Sequence, residues 1–224
     1  MFNHALVKKI EDIPGFRRVH AETDASDLQF EPGGYLKIVF GEGEEKKIRS
    51  ITVSQTEPKG FALDFVAHGS GGPASKWQQD LKVGSTFLFK GPGPKSHFKT
   101  DCDYFYFYAD STGLPALHAH LQNIEKEKDI FIYFDGEKPI LENYLKGLNY
   151  VNFDNITDFF HKIEYCPAGQ SSLWAAGERL EILKIRKLFA PKQDQFKSFY
   201  LSSYWQRGSV DEEHRSLKKQ DKRG

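Results

Sequence analysis

Over the first hundred residues, apolar and polar positions alternate in short runs broken by turn residues. Phe16–Ala21, Tyr35–Phe40, Ile48–Ser54 and Phe61–His68 each have the pattern of a strand. In the last of these, Phe61, Leu63, Phe65 and Ala67 fall on one face. Pro32-Gly33-Gly34, the acidic glycine turn Gly41–Glu45 and Pro58-Lys59-Gly60 separate the runs. Strands at such spacing predict an antiparallel barrel or sandwich. One helix interrupts them, opening at Gly72-Pro73-Ala74-Ser75.

Beyond a seam at residues 91–103 the pattern changes. Tyr104–Ala109 (YFYFYA) is a continuous apolar run, and a helix is predicted from about Thr112 to Lys126. Asp129–Phe134 and Ser172–Ala176 read as strands, Glu178–Phe189 as a helix and Phe196–Ser203 as a further strand; the stretch up to Pro167 is not assigned. Continuous apolar strands alternating with helices predict a parallel sheet covered on both faces. The division expected is a first domain over 1–100 and a second over 101–224, ending in a charged tail. The last ten residues carry five basic side chains and one acidic, which reads as a solvated or frayed end.

Composition narrows the classes. The chain has 224 residues, 14% of them aromatic, with 31 basic and 31 acidic side chains and a formal net charge of zero. A zero balance argues against a general binder of nucleic acid or of a membrane surface, yet leaves room for one local basic pocket. The apolar runs are too short to span a bilayer, and the N-terminus has no apolar core of a signal peptide. Cys102 and Cys166 are too few for a disulfide framework and form no CxxC pair, so a reducing cytoplasm is expected. His118 and His120 lie two apart in an expected helix and point to different faces, so no metal site is predicted.

Five segments carry candidate chemistry. In Arg49-Ser50-Ile51-Thr52 a strand presents a cation and a hydroxyl. In DFVAHGSGGPASKW (Asp64–Trp77) a strand runs into a glycine loop and then a helix opened by Pro73. The first backbone N–H groups of that helix, with Ser75 beside them, make an anion site suited to a pyrophosphate. In ADSTGLPA (Ala109–Ala116) a parallel strand feeds a helix where ligands bind in open α/β sheets, although GxGxxG is absent. WAAGE (Trp174–Glu178) is a second such turn. SYWQRG (Ser203–Gly208) places two aromatics beside Arg207 after the last strand.

In this order the segments resemble the siderophore-interacting proteins, flavoproteins of the ferredoxin-reductase-like superfamily, from about Phe16 to Gly208. DFVAHGSGGPASKW is the most specific match; STGLPAL, WAAGE and YWQRG follow. The resemblance implies a β + α/β fold: an N-terminal antiparallel β-barrel that binds FAD, then a Rossmann-like α/β domain for a nicotinamide nucleotide. It implies FAD-dependent reduction of ferric siderophores by NADH, NADPH or ferredoxin; with no heptad or large apolar stripe in the sequence a monomer is expected, without nucleic-acid or membrane partner. Arg49, Gly72, Ala74 and Ser75 are then expected at the FAD pyrophosphate, Thr52 at the reactive ring edge, and Ile51, Val66 and His68 along the ring. Thr112, Gly177 and Glu178 are expected at the nucleotide, and Tyr204 and Trp205 near the flavin. Lys46, Lys47, Lys95, Arg207 and Arg215 are candidates for a basic rim receiving an anionic siderophore. No proton-transfer residue or resident metal is needed. Ile51 stands where the family carries Tyr, and Ser111 where it usually carries an acid. Asp135 and Glu137, after the second strand of the α/β domain, lean the donor towards NADH. Two other readings fit the same residues: a related reductase serving a protein electron partner, and a siderophore-binding protein without catalysis.

Overall fold

A computed structural model describes residues 2–25, 28–41, 46–67, 73–93 and 98–208, with residues 73–75 described in their backbone only. The described residues pack as two compact units.

The first unit contains strands β1 (Asn3–Ile13), β2 (Phe16–Glu22), β3 (Tyr35–Phe40), β4 (Lys47–Glu57), β5 (Gly60–Val66) and β6 (Thr86–Lys90). They close an antiparallel barrel in the order β1-β2-β5-β4-β3-β6. Closure leaves no sheet edge unpaired, which suits strands this short. Alternate side chains point inward: Val19, Ala21, Leu36, Ile38, Phe61, Leu63, Phe65, Phe87 and Phe89 form the barrel core. Helix α1 (Pro73–Asp80) belongs to the same unit. Its Trp77 packs edge-on against Phe40 and Phe87 and tilted against Phe65. This indole therefore completes the barrel core rather than offering a face to a ligand.

Strands β1 and β6 are not foreseen by the alternation. In β1 only Ala5 and Val7 are core residues before a bulge between Val7 and Lys9 and a charged remainder. In β6 the inward pair is Phe87 and Phe89 alone. The first unit also includes α2 (Leu114–Leu121) and α3 (Lys138–Tyr144), which follow the seam in sequence. The helix expected over Thr112–Lys126 is thus shorter at both ends. Asp110 holds residues 112–113 in a turn before it, and Asn123 closes its far end by donating from Nδ2 to the Ala119 carbonyl at 2.8 Å.

The second unit holds a five-stranded parallel sheet: β7 (Tyr104–Asp110), β8 (Asp129–Asp135), β9 (Val151–Phe153), β10 (Ser171–Glu178) and β11 (Phe196–Trp205). The spatial order is β11-β10-β7-β8-β9, so the winding reverses between β7 and β10. This is the doubly wound order, whose ligands bind outside the carboxyl ends at the reversal. The stretch left unassigned before Pro167 contains α3, β9 and α4 (Ile156–Glu164). Asn155 caps α4 by accepting from Thr157 N at 2.7 Å, the usual role of Asn at a helix start. Helix α5 (Arg179–Phe189) packs Ile182, Ile185 and Phe189 into a core with Tyr106, Tyr108 and Leu173.

Candidate functional site

In the first unit the candidate residues gather on β4, the end of β5 and the start of α1. Arg49 is half-buried on β4, where Nη1 donates to the Ile48 carbonyl at 3.1 Å. Ile51, two residues on, lies against the barrel core, and Thr52 stands opposite Tyr35 in the β3–β4 ladder. Val66 ends β5, and its carbonyl accepts from Nε2 of the buried Gln78 at 3.2 Å, which ties the strand end to α1. Ala74 and Ser75 lie in the first turn of α1, which carries no acidic residue. His68 and Gly72 lie outside the described residues. An arginine and a helix start with no acid in its first turn are donor types that suit a diphosphate-bearing ligand.

In the second unit the candidates meet at the sheet reversal. Asp110 ends β7, 6% exposed. Its Oδ1 accepts from Thr112 N at 2.8 Å, Thr112 Oγ1 at 2.6 Å and Gly113 N at 3.2 Å; its Oδ2 accepts from Trp205 Nε1 at 2.7 Å. Burial pushes this carboxyl above the usual range, against the opposing pull of those hydrogen bonds. Two glycines let the strand ends approach. A Cβ on Gly113 would lie 2.7 Å from the Ala176 carbonyl oxygen, and one on Gly177 would lie 2.7 Å from Asp110 Oδ2. The ends of β7 and β10 therefore pack closely at these two positions, where a side chain would collide with the Ala176 carbonyl or the Asp110 carboxylate.

Glu178 is buried and serves the scaffold. Its Oε2 accepts from Leu180 N at 2.6 Å and Glu181 N at 3.3 Å to cap α5, and its Oε1 accepts from Arg207 N at 3.2 Å. Trp205, 36% exposed, pairs in register with Glu178, and Tyr204 beside it is half-buried. The structure thus joins Thr112, Gly113, Gly177 and Trp205 around Asp110, whose motif suggests no role for it in the sequence. The signal available was its place at a strand end two residues before a Thr, the pattern of an Asx turn.

Of the basic candidates, Lys46, Lys47 and Arg207 are exposed. The Lys46 ammonium lies 5.9 Å from the centre of the Phe2 ring. Lys95 and Arg215 lie outside the described residues. Among the described residues, no group of three His, Cys, Asp or Glu side chains could hold a metal ion, and no helix is long and apolar enough to cross a membrane.

Residues 15–96 match the family of the siderophore-interacting FAD-binding domain. A ferric acinetobactin reductase of Acinetobacter baumannii is 26% identical, with 70% of this chain and 59% of that protein covered. An NADPH-dependent ferric-chelate reductase of Escherichia coli is 23% identical over 75% of this chain and 70% of its own length. A mycobactin import ATP-binding/permease protein of Mycobacterium tuberculosis is 22% identical over 94% of this chain, which spans 26% of that protein's length. The solved structure of a siderophore-interacting protein from Acinetobacter baumannii superposes with a TM-score of 0.82 at 22% identity, covering 100% of this chain and 98% of that one. That likeness shows a shared fold.

Proposed function

From the match of residues 15–96 to the siderophore-interacting FAD-binding domain family, we propose that the chain reduces ferric siderophores with electrons from a nicotinamide dinucleotide. The observation that carries the reading is one chain holding both a barrel that matches an FAD-binding domain family and a doubly wound parallel sheet whose order reverses between β7 and β10. Bound FAD supplies the conversion of a two-electron donor into single electrons for iron. Overall, one dinucleotide is oxidised and one proton released for every two ferric centres reduced. Hard anionic oxygens hold Fe(III) more tightly than Fe(II), so the electron alone labilises the metal and no bond of the siderophore is cleaved.

The protein's own part is binding and orientation. Arg49, the start of α1 and Ser75 hold the diphosphate; Thr52 offers a hydroxyl at the ring edge, and Val66 with Ile51 gives it an apolar surface. At the reversal, Asp110 orients Thr112 and Trp205, and Glu178 anchors Arg207. Lys46, Lys47 and Arg207 supply positive charge for an anionic substrate. No residue is required to carry a proton to iron. Cys102 and Cys166 form no disulfide, which supports a reducing compartment, the cytoplasm.

The experiment is anaerobic. The purified protein should be yellow, bleach with a nicotinamide dinucleotide, and then release Fe(II) from ferric siderophores to a ferrous chelator. A colourless protein that still binds the ferric siderophore would overturn the reading. Bleaching by dithionite but by neither dinucleotide would move the donor to a protein such as ferredoxin.

A further inference from the structure

We propose that the α/β unit takes NADH in preference to NADPH, and that Asp135 sets this choice. The proposal rests on the reading of that unit as the nicotinamide-nucleotide domain. The two dinucleotides differ only at the adenosine ribose, a 2′-hydroxyl in one and a 2′-phosphate in the other. The first is a hydrogen-bond donor; the second carries close to two negative charges at neutral pH.

Strand β8 lies beside β7, and its carboxyl end shares the edge on which the reversal opens. In doubly wound sheets an acid following the second strand accepts from the ribose diol. Asp135 ends β8 and stands directly opposite Asp110 in the β7–β8 ladder. Its carboxylate is exposed, and its Oδ2 accepts from the hydroxyl of the buried Tyr108 at 3.1 Å. That bond leaves further lone pairs for a ligand hydroxyl, and burial keeps the Tyr108 phenol protonated as a donor.

The surrounding charges favour a diol over a phosphate. Glu137 follows Asp135 by two residues, and Asp154 stands just past the end of β9. Glu178 and Glu181 open α5. Lys184 of α5 is held by Glu181 at 2.7 Å, with Glu178 and Asp135 adding to its acidic surroundings. A 2′-phosphate placed beside Asp135 would meet like charge from its carboxylate, and Lys184 of α5 is already paired with Glu181. The proposal therefore departs from the donor in the name of the Escherichia coli relative.

The test uses the FAD-loaded protein, comparing kcat/KM for NADH and NADPH with one ferric chelate, and calorimetric binding of NAD+ and NADP+. NADH should be preferred by about tenfold or more, the range of one hydrogen bond to a charged group. Asp135→Ser should raise KM for NADH and weaken NAD+ binding by a similar factor, while the NADP+ affinity holds or improves. Asp135→Arg should move the preference towards NADPH. Equal or better use of NADPH by the native protein overturns the proposal, as does equal loss of both affinities in Asp135→Ser with FAD content intact. Binding of neither dinucleotide overturns the nucleotide-domain reading itself, a result distinct from a preference for NADPH.

Discussion

His120 is 3% exposed in α2, and burial pushes its imidazole down to about 4 from 6.5. Because the folded-state value is depressed, the unfolded chain takes up a proton first as pH falls. Stability is present in full above pH 6.5 and is lost as pH drops through 4, by up to about 3 kcal/mol. Urea unfolding from neutral pH to pH 4 should show this decline, and His120→Gln should flatten it. An unchanged acid limb in the variant would remove His120 as its cause. The expectation that His118 and His120 serve different faces agrees with the structure: His118 stands edge-on to the Tyr144 ring at 5.3 Å. The burial of His120 beside Gly33 was not readable, because the glycine that leaves room for it is remote in sequence.

At the scale of elements, a buried polar group holds α3 to the barrel. Arg18 of β2 donates from Nε and Nη2 to the two oxygens of Asp64 on β5, both at 2.7 Å. The Asp64 side chain is fully buried and also accepts from Ser54 Oγ at 2.9 Å and from the Tyr144 hydroxyl of α3. Losing one member of a buried pair strands the other charge, so Arg18→Ala should cost about 3–5 kcal/mol. Tyr144→Phe, which removes one hydrogen bond to a charged acceptor, should cost about 1.5–3 kcal/mol. Chemical denaturation measures both, and a smaller loss for Arg18→Ala than for Tyr144→Phe would reverse the ranking. Strand β5 shows why pattern reading stops here. Its alternation marks Phe61, Leu63 and Phe65 as inward, but Asp64 reads as an exposed position until α3 covers it. Strand β3 has the bounds expected, Tyr35–Phe40.

For the whole molecule, a ligand that binds only the folded state stabilises it by mass action. Arg49→Ala with Ser75→Ala should lose most of its bound FAD and, with it, the rise in Tm on adding FAD; full yellow occupancy would refute the phosphate assignment. The zero net charge conceals exposed cations at Lys46, Lys47 and Arg207. Raising salt should increase KM for an anionic ferric siderophore and spare a neutral one, since exposed charges are screened; an equal response would dismiss the basic rim. The sequence by itself determined the order of barrel and parallel sheet, most strand positions and the glycine turns after β7 and within the end of β10. These follow from side-chain periodicity and from local backbone sterics, which neighbouring residues encode. The tertiary structure alone decided that β1 and β6 close the barrel, that Trp77 belongs to its core, and that Asp110 joins Thr112, Gly113, Gly177 and Trp205. It alone decided that Glu178 caps a helix and anchors Arg207. Those outcomes depend on contacts between residues far apart in the chain, where burial and hydrogen-bond satisfaction, not spacing, select the partner.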